Sequence, residues 1–287
     1  MKSARKRLFL RSVFKVFVLV LFSLFPVTSF ADRYRVPLMT TPPRIDGYFH
    51  KSEWKDAVGF DGFSFHGKLE ERKVRAYIGA TEKDLYVAIV SELPPGGKLV
   101  TPKTPGKIVF GDAVEVWISP DPEKENGITY QMLAGSEGAV SYLAHRRGRV
   151  KTAAYYGWQG HYQIANGIHQ GFWDFEAKIP LKNLVPGRKS TTGQWGINLA
   201  RDFKRPWVFT SLGNRGFNPD KEIIFTFSKT GLATQYENLK DPTAGNIDGV
   251  LSLYNPGASN LKVKAKLFLQ RNALPTVVSE RVFSLSP

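Results

Sequence analysis

Cysteine is absent from all 287 residues. That excludes disulfides, thiolate metal sites and a cysteine nucleophile, so a chain of this kind working outside a reducing compartment rests on its core alone. Histidine is scarce: His50, His66, His145, His161 and His169 form no HxH or other tight ligand pair. His161 and His169 could meet across strands, but two imidazoles alone do not define a metal site. No GxSxG, GxxxxGK[ST], HExxH or GxGxxG occurs, which removes the usual signatures of serine hydrolases, P-loop enzymes, zinc peptidases and dinucleotide binders. Helix-period patterning is almost missing too, and only the N-terminus carries an apolar run of any length.

That N-terminal run reads as a leader. Lys2, Arg5, Lys6 and Arg7 precede a largely apolar stretch from Leu8 to Val27, interrupted by Arg11 and Lys15. The uninterrupted part, Val16–Phe25, spans only about 15 Å as a helix, roughly half a bilayer core. Ser29-Phe30-Ala31 then offers small residues for cleavage before Asp32. Residues 1–31 are therefore expected to be a signal peptide, and the mature protein to be exported (periplasmic, cell-surface or secreted), with no membrane association after cleavage. They hold six Lys or Arg and no acid, so their loss takes the formal charge from +15 to +9. The densest basic run, His145 to Lys151, reads as a solvated hairpin tip, and export argues against a nucleic-acid partner.

What is present is a series of short strands. Asp32–Met39, the alternating Phe60, Phe63 and Phe65, the hairpin Val74–Gly79 with Leu85–Ser91, and the pair Ile128–Leu133 with Ala139–Ala144 all carry strand character. Weaker candidates are Tyr155–Trp158 and Gln163–Gly167; Phe172–Ile179, Trp195–Ala200 and Ile223–Phe227 are stronger. His50–Ala57 suggests one or two helical turns with Trp54 and Ala57 inward, and Leu181–Leu184 a single turn. Leu93–Gly106 reads as a loop, and Trp207–Pro219 as an aromatic loop. The expected fold is all-β, an antiparallel sandwich over residues 32–228 of immunoglobulin-like or jelly-roll-like type. A linker over 229–247 and strands over 248–287 complete the chain. The latter form either an appendage or part of a second sandwich, and the second reading is favoured, with the sequence then a piece of something longer.

The strand within Val109–Pro120 organises the rest. Val114, Val116 and Ile118 alternate with Glu115 and Trp117, giving one aliphatic face and one face that sets a carboxylate beside an indole. Gly111-Asp112 starts it and Pro120-Asp121-Pro122 stops it. A carboxylate among aromatic rings suits a sugar, which offers hydroxyls at its edge and C–H groups on its faces. The alternative is an ordinary strand with a solvated Glu and a packed Trp.

The order of motifs resembles carbohydrate-binding module family 9. It runs through Ile45-Asp46-Gly47, Glu53-Trp54, Val74–Tyr77, Asp84–Ala88, Gly111–Ile118, Tyr130–Met132, Trp173–Leu181, Gly196–Arg201 and Gly216–Pro219. The resemblance spans about Arg35 to Ser228. It implies a sandwich of the wider DOMON-like group that binds polysaccharide ends or small sugars, commonly beside a catalytic domain in secreted enzymes. By that resemblance Glu115 is the strand carboxylate, Phe110 and Phe217 are the clasping rings, and Gln131, Asn198 and Arg201 are hydroxyl partners. Leu133 and Gly135 stand where members of that family carry an Arg and an Asn, and both rings are Phe rather than Trp. Calcium occurs in some members, with Asp46, Glu53 and Asp121 the candidate oxygen ligands here; otherwise no cofactor is expected. A cell-envelope adhesion module keeping the fold without a sugar site is the competing function. A haem-binding variant using Met132 as an axial ligand is a third reading.

Overall fold

The computed structural model describes residues 6–11, 33–66, 68–102, 105–147, 154–155, 157–212, 222–238, 248–271 and 274–287. In chain order its strands are β1 (Lys6–Arg11), β2 (Arg33–Pro37), β3 (Val58–Asp61), β4 (Ser64–Phe65), β5 (Lys68–Leu69), β6 (Val74–Ala80) and β7 (Asp84–Glu92). A 3-10 helix, Pro105–Phe110, leads into β8 (Ala113–Ser119), β9 (Ile128–Ala134), β10 (Val140–Arg146), β11 (Ala154–Tyr155), β12 (Gln163–His169) and β13 (Phe172–Pro180). The single helical turn α1 (Leu181–Leu184) follows, then β14 (Gly193–Lys204), β15 (Trp207–Ser211), β16 (Ile223–Ser228), β17 (Ala233–Glu237), β18 (Asp248–Tyr254), β19 (Leu261–Arg271) and β20 (Leu274–Leu285).

Two large sheets form a sandwich. One runs β1-β18-β17-β3-β6-β7-β13-β12; the other runs β11-β10-β9-β8-β14-β15-β4-β5, with β16 on β14 and β2 on β16. Only the pairs β2–β16 and β3–β17 are parallel among the described residues. β14 is long enough to serve two partners on one edge: Gly193–Ile197 pair with β16, and Ala200–Lys204 with β15. Its other edge pairs with β8 from Gly196 to Asp202.

Period-two alternation drives the packing. Val114, Val116 and Ile118 of β8 enter one core with Val87 and Ile89 of β7, Trp173 and Phe175 of β13, and Trp195 and Phe225. Each fully buried aliphatic side chain contributes about 2 kcal/mol. Met132 belongs to the same core, fully buried, so the haem-ligand reading of this residue gives way to packing. A second, smaller core lies on the outside of the eight-stranded sheet, where Trp54, Met39 and Ala57 cover Tyr77, Tyr86 and Ala88. The segment carrying Trp54 folds as consecutive turns rather than the expected helical turns. Its shape comes from β13 beneath it: Glu176 accepts the backbone N–H groups of Asp46 and Gly47 and the Trp54 indole N–H, and Asp174 accepts that of Phe49. Gly47 has φ +81, and a Cβ there would lie 2.6 Å from the Asn166 carbonyl oxygen, so glycine is required.

Several elements differ from the sequence reading. Trp207–Ser211, expected within a loop, is strand β15, because Phe209 and Ser211 bury against β14 and β4. Within the stretch 229–247, Ala233 and Gln235 are buried alternately in β17, which pairs with β3 and β18. β18 therefore joins the main sandwich, while β19 and β20 pair only with each other among the described residues. Inside the expected leader, Lys6–Arg11 pair with β18 as an outer strand; residues 12–32 lie outside the described residues.

Candidate functional site

The register of the ten-stranded sheet assigns its two faces residue by residue. Glu115 stands opposite Leu133 on β9 and Ala200 on β14; Trp117 stands opposite Gln131 and Asn198. Leu143 faces Gln131, and His145 faces Thr129, on the same outer side. Continuing across β14 and β15, Asp202 pairs with Phe209 and Lys204 with Trp207. Pairs directly across a sheet share a face, so the outward surface carries Glu115, Trp117, Gln131, His145, Asn198, Asp202, Lys204 and Trp207.

Glu115 is the hub. It is only 2% exposed, and its Oε2 accepts the Trp117 indole N–H at 2.7 Å and the Gln131 side-chain N–H at 3.0 Å. With the Gln131 nitrogen committed to the carboxylate, its Oε1 is the atom that meets His145 Nε2 at 2.7 Å. His145 therefore carries its proton on Nε2 and donates it. The imidazole also stacks on Trp117, with centroids 5.1 Å apart and planes 22° from parallel. Burial pushes the Glu115 carboxyl up to about 7, against the two hydrogen bonds that favour the anion; the nearby Asp202 raises it further and Lys204 lowers it. Burial likewise pulls His145 below its ordinary value. The result is a carboxyl that changes protonation close to neutrality while linked through one amide to a histidine.

The rim is built by the 3-10 helix. Its Ile108 packs outside the sheet on Ala113, Leu133, Ala139 and Leu143, leaving Val109 and Phe110 exposed, Phe110 by 71%. Asp112 then ties this loop down: Oδ2 accepts Val100 N–H at 2.6 Å, and its own N–H donates to Val100 O at 2.7 Å. Its Oδ1 accepts Lys204 N–H at 2.6 Å, joining the loop to the β14–β15 hairpin. Beside that joint, Lys204 Nζ donates to Asp202 Oδ2 at 2.6 Å. Asp202 is raised by burial, with the Lys204 hydrogen bond acting against it.

Of the residues singled out from sequence, Glu115 and Gln131 meet directly, and Asn198 lies on their face, 1% exposed. Phe110 is at the rim; Phe217 lies outside the described residues. Arg201 is elsewhere. It pairs with Val114, so alternation turns it to the inner face, where Nη1 donates to Lys73 O and Ser91 Oγ, Nη2 to Arg72 O, and Nε to Thr210 Oγ1. Burial first, and then Arg72, lowers this guanidinium to about 9. Asp46 Oδ1 accepts Tyr48 N–H, and Glu53 accepts Arg44 N–H and Nε–H, so two of the three candidate calcium ligands have local partners. Among the described residues no three His, Asp or Glu side chains are placed to hold a metal ion. Sequence reasoning passed over His145, Asp112, Asp202, Lys204 and Trp207. For His145, Asp202 and Lys204 the missing signal was register: alternation is visible within β10 and β14, but which residues gather at one site depends on partners distant in sequence, and Trp207 lay in a stretch that reads as loop.

No protein-family model matches the chain, and no curated protein matches it. Among solved structures, a carbohydrate binding module family 9 from Caldicellulosiruptor kristjanssonii in complex with cellotriose is 14% identical, covering 70% of this chain and 95% of that chain with a TM-score of 0.49. The glucose complex of a family 9 module from that organism is 15% identical, covering 70% and 97%, also at 0.49. A candidate carbohydrate-binding protein from Bacteroides uniformis is 13% identical, covering 69% of this chain and 99% of that chain with a TM-score of 0.52. The chain thus carries a β-sandwich of the same fold as the Bacteroides protein, over almost that protein's full length.

Proposed function

We propose that this protein is an exported, non-catalytic carbohydrate-binding module of a larger polysaccharide-processing protein. The observation that carries the reading is the outward face of the ten-stranded sheet, where Glu115 and Gln131 are hydrogen-bonded at 3.0 Å and the 3-10 helix packed on that face through Ile108 leaves the ring of Phe110 exposed. A carboxyl and an amide supply acceptors and donors for hydroxyls, and a ring supplies the apolar contact that a sugar face seeks. The family 9 structures were solved with cellotriose and with glucose, which makes β-glucans the first probes to try. Any hydrolysis belongs to an attached domain. Calorimetry of the mature chain with cellotriose, xylotriose and galactobiose tests the reading: saturable heat with at least one supports it, and silence with all three removes it.

A second reading is favoured by one specific fact. Glu115 is nearly sealed from solvent, with its Oε2 already shared by Trp117 and Gln131. A structural or adhesion module of the cell envelope would use such a network for rigidity alone. It predicts that Glu115→Ala changes the melting temperature but binds no sugar before or after.

A further inference from the structure

Trp207 is 64% exposed on the same outward face as Glu115, although an indole is the side chain with most to gain from burial. Its surroundings are polar in a particular way. Lys204 is its direct cross-strand partner, and Asp202 stands two residues back along β14 on the same face. Asp202 is 7% exposed; its Oδ2 takes the Lys204 ammonium at 2.6 Å, while its buried Oδ1 has no hydrogen-bond partner among the described residues. A buried acceptor left open is costly, and it invites a donor. The hydrogen bond from Lys204 N–H to Asp112 brings the 3-10 loop, with Phe110 two residues earlier, to this same hairpin. The exposed indole of Trp207 therefore stands beside an acid–ammonium pair, and the loop that carries the exposed Phe110 is tied to the same hairpin.

We propose that Trp207 is the stacking platform for a pyranose whose adjacent hydroxyls bridge Asp202 and Lys204. The inference rests on the sugar-binding reading above and assigns that site residues which the sequence did not. One hydroxyl donates to Asp202 Oδ1, its neighbour accepts from the Lys204 ammonium, and the apolar sugar face covers the indole. The geometry recognises a neutral diol: a carboxylate-bearing sugar would meet Asp202, and an amino sugar would meet Lys204.

The test uses the mature chain with cellotriose, xylotriose and galactobiose, by calorimetry and tryptophan fluorescence. For whichever probe binds, Trp207→Ala is expected to weaken affinity tenfold or more, and Asp202→Asn about tenfold. Tyr236→Ala, on the opposite sheet, should stay within twofold of wild type. Trp207→Phe should retain part of the affinity while losing most of the fluorescence change on binding. Unaltered near-ultraviolet circular dichroism and melting identify these as effects on the site. If wild type binds and Trp207→Ala binds equally well, this proposal falls while the sugar reading stands; the same holds if Phe217→Ala abolishes binding and Trp207→Ala does not. If wild type binds none of the three, both fall together.

Discussion

A single carboxyl illustrates how burial sets chemistry here. The unfolded Glu115 ionises near 4.5 and the folded one near 7, so the native protein holds the extra proton between those values. Stability is then greatest below pH 4.5 and declines as pH rises toward 7, by up to about 3 kcal/mol for this one group. Glu176, also pushed up to about 7 by burial, acts in the same direction. His145, held low, opposes them just below pH 6.5, where the unfolded chain binds its proton more readily. Urea denaturation at pH 4.5, 6 and 8 should therefore show falling stability, and Glu115→Gln should flatten part of that slope while keeping an acceptor for Trp117. Arg201 is a second residue-scale case. Its guanidinium satisfies two carbonyls and two hydroxyls between the sheets, and a flexible ammonium cannot reproduce that fork. Arg201→Met should cost about 3 kcal/mol by urea titration, with Arg201→Lys recovering little.

Among the elements, the loop from Val100 to Phe110 depends on one side chain. Asp112 joins it to itself and to the β14–β15 hairpin, so Asp112→Ala should raise amide exchange over 100–110 at least tenfold while global stability falls by about 1–2 kcal/mol. Gly111 sets the approach: a Cβ there would sit 2.0 Å from the Pro102 ring, so Gly111→Ala should loosen the same loop. Such joints explain what was and was not legible in the sequence. The strand content of β6, β7, β8 and β13 could be read from Val, Ile and Phe at every second position, and Glu115 followed from the polar alternates of β8, whereas Gln131 came only through the family resemblance. Arg201 was assigned through the family resemblance, although alternation within β14 sets it on the inner face with Ile197 and Leu199, opposite Asn198. Trp207 read as loop because Pro206 and the short β15 carry little pattern of their own; its strand is imposed by β14.

For the whole molecule, β18 lies within the eight-stranded sheet between β1 and β17, whereas β19 and β20 form a hairpin of their own. Asn255 links the two regions, donating to Ser259 O at 2.8 Å and Leu285 O at 3.3 Å, and Leu285 is fully buried. A chain ending at residue 260 should still unfold in one cooperative transition, with a melting temperature lowered by only a few degrees; calorimetric scanning checks this. The parallel pairing of β2 with β16 has a different kind of consequence. Arg33 lies beside Ile224, 191 positions later, so β2 finds its place only after nearly the whole domain has been made. During synthesis that early segment waits alone, and closing so long a loop is slow. The final docking of the two ends is thereby a late kinetic event, and a helper that shields Tyr34 and Val36 in the meantime would speed productive folding without altering the finished protein.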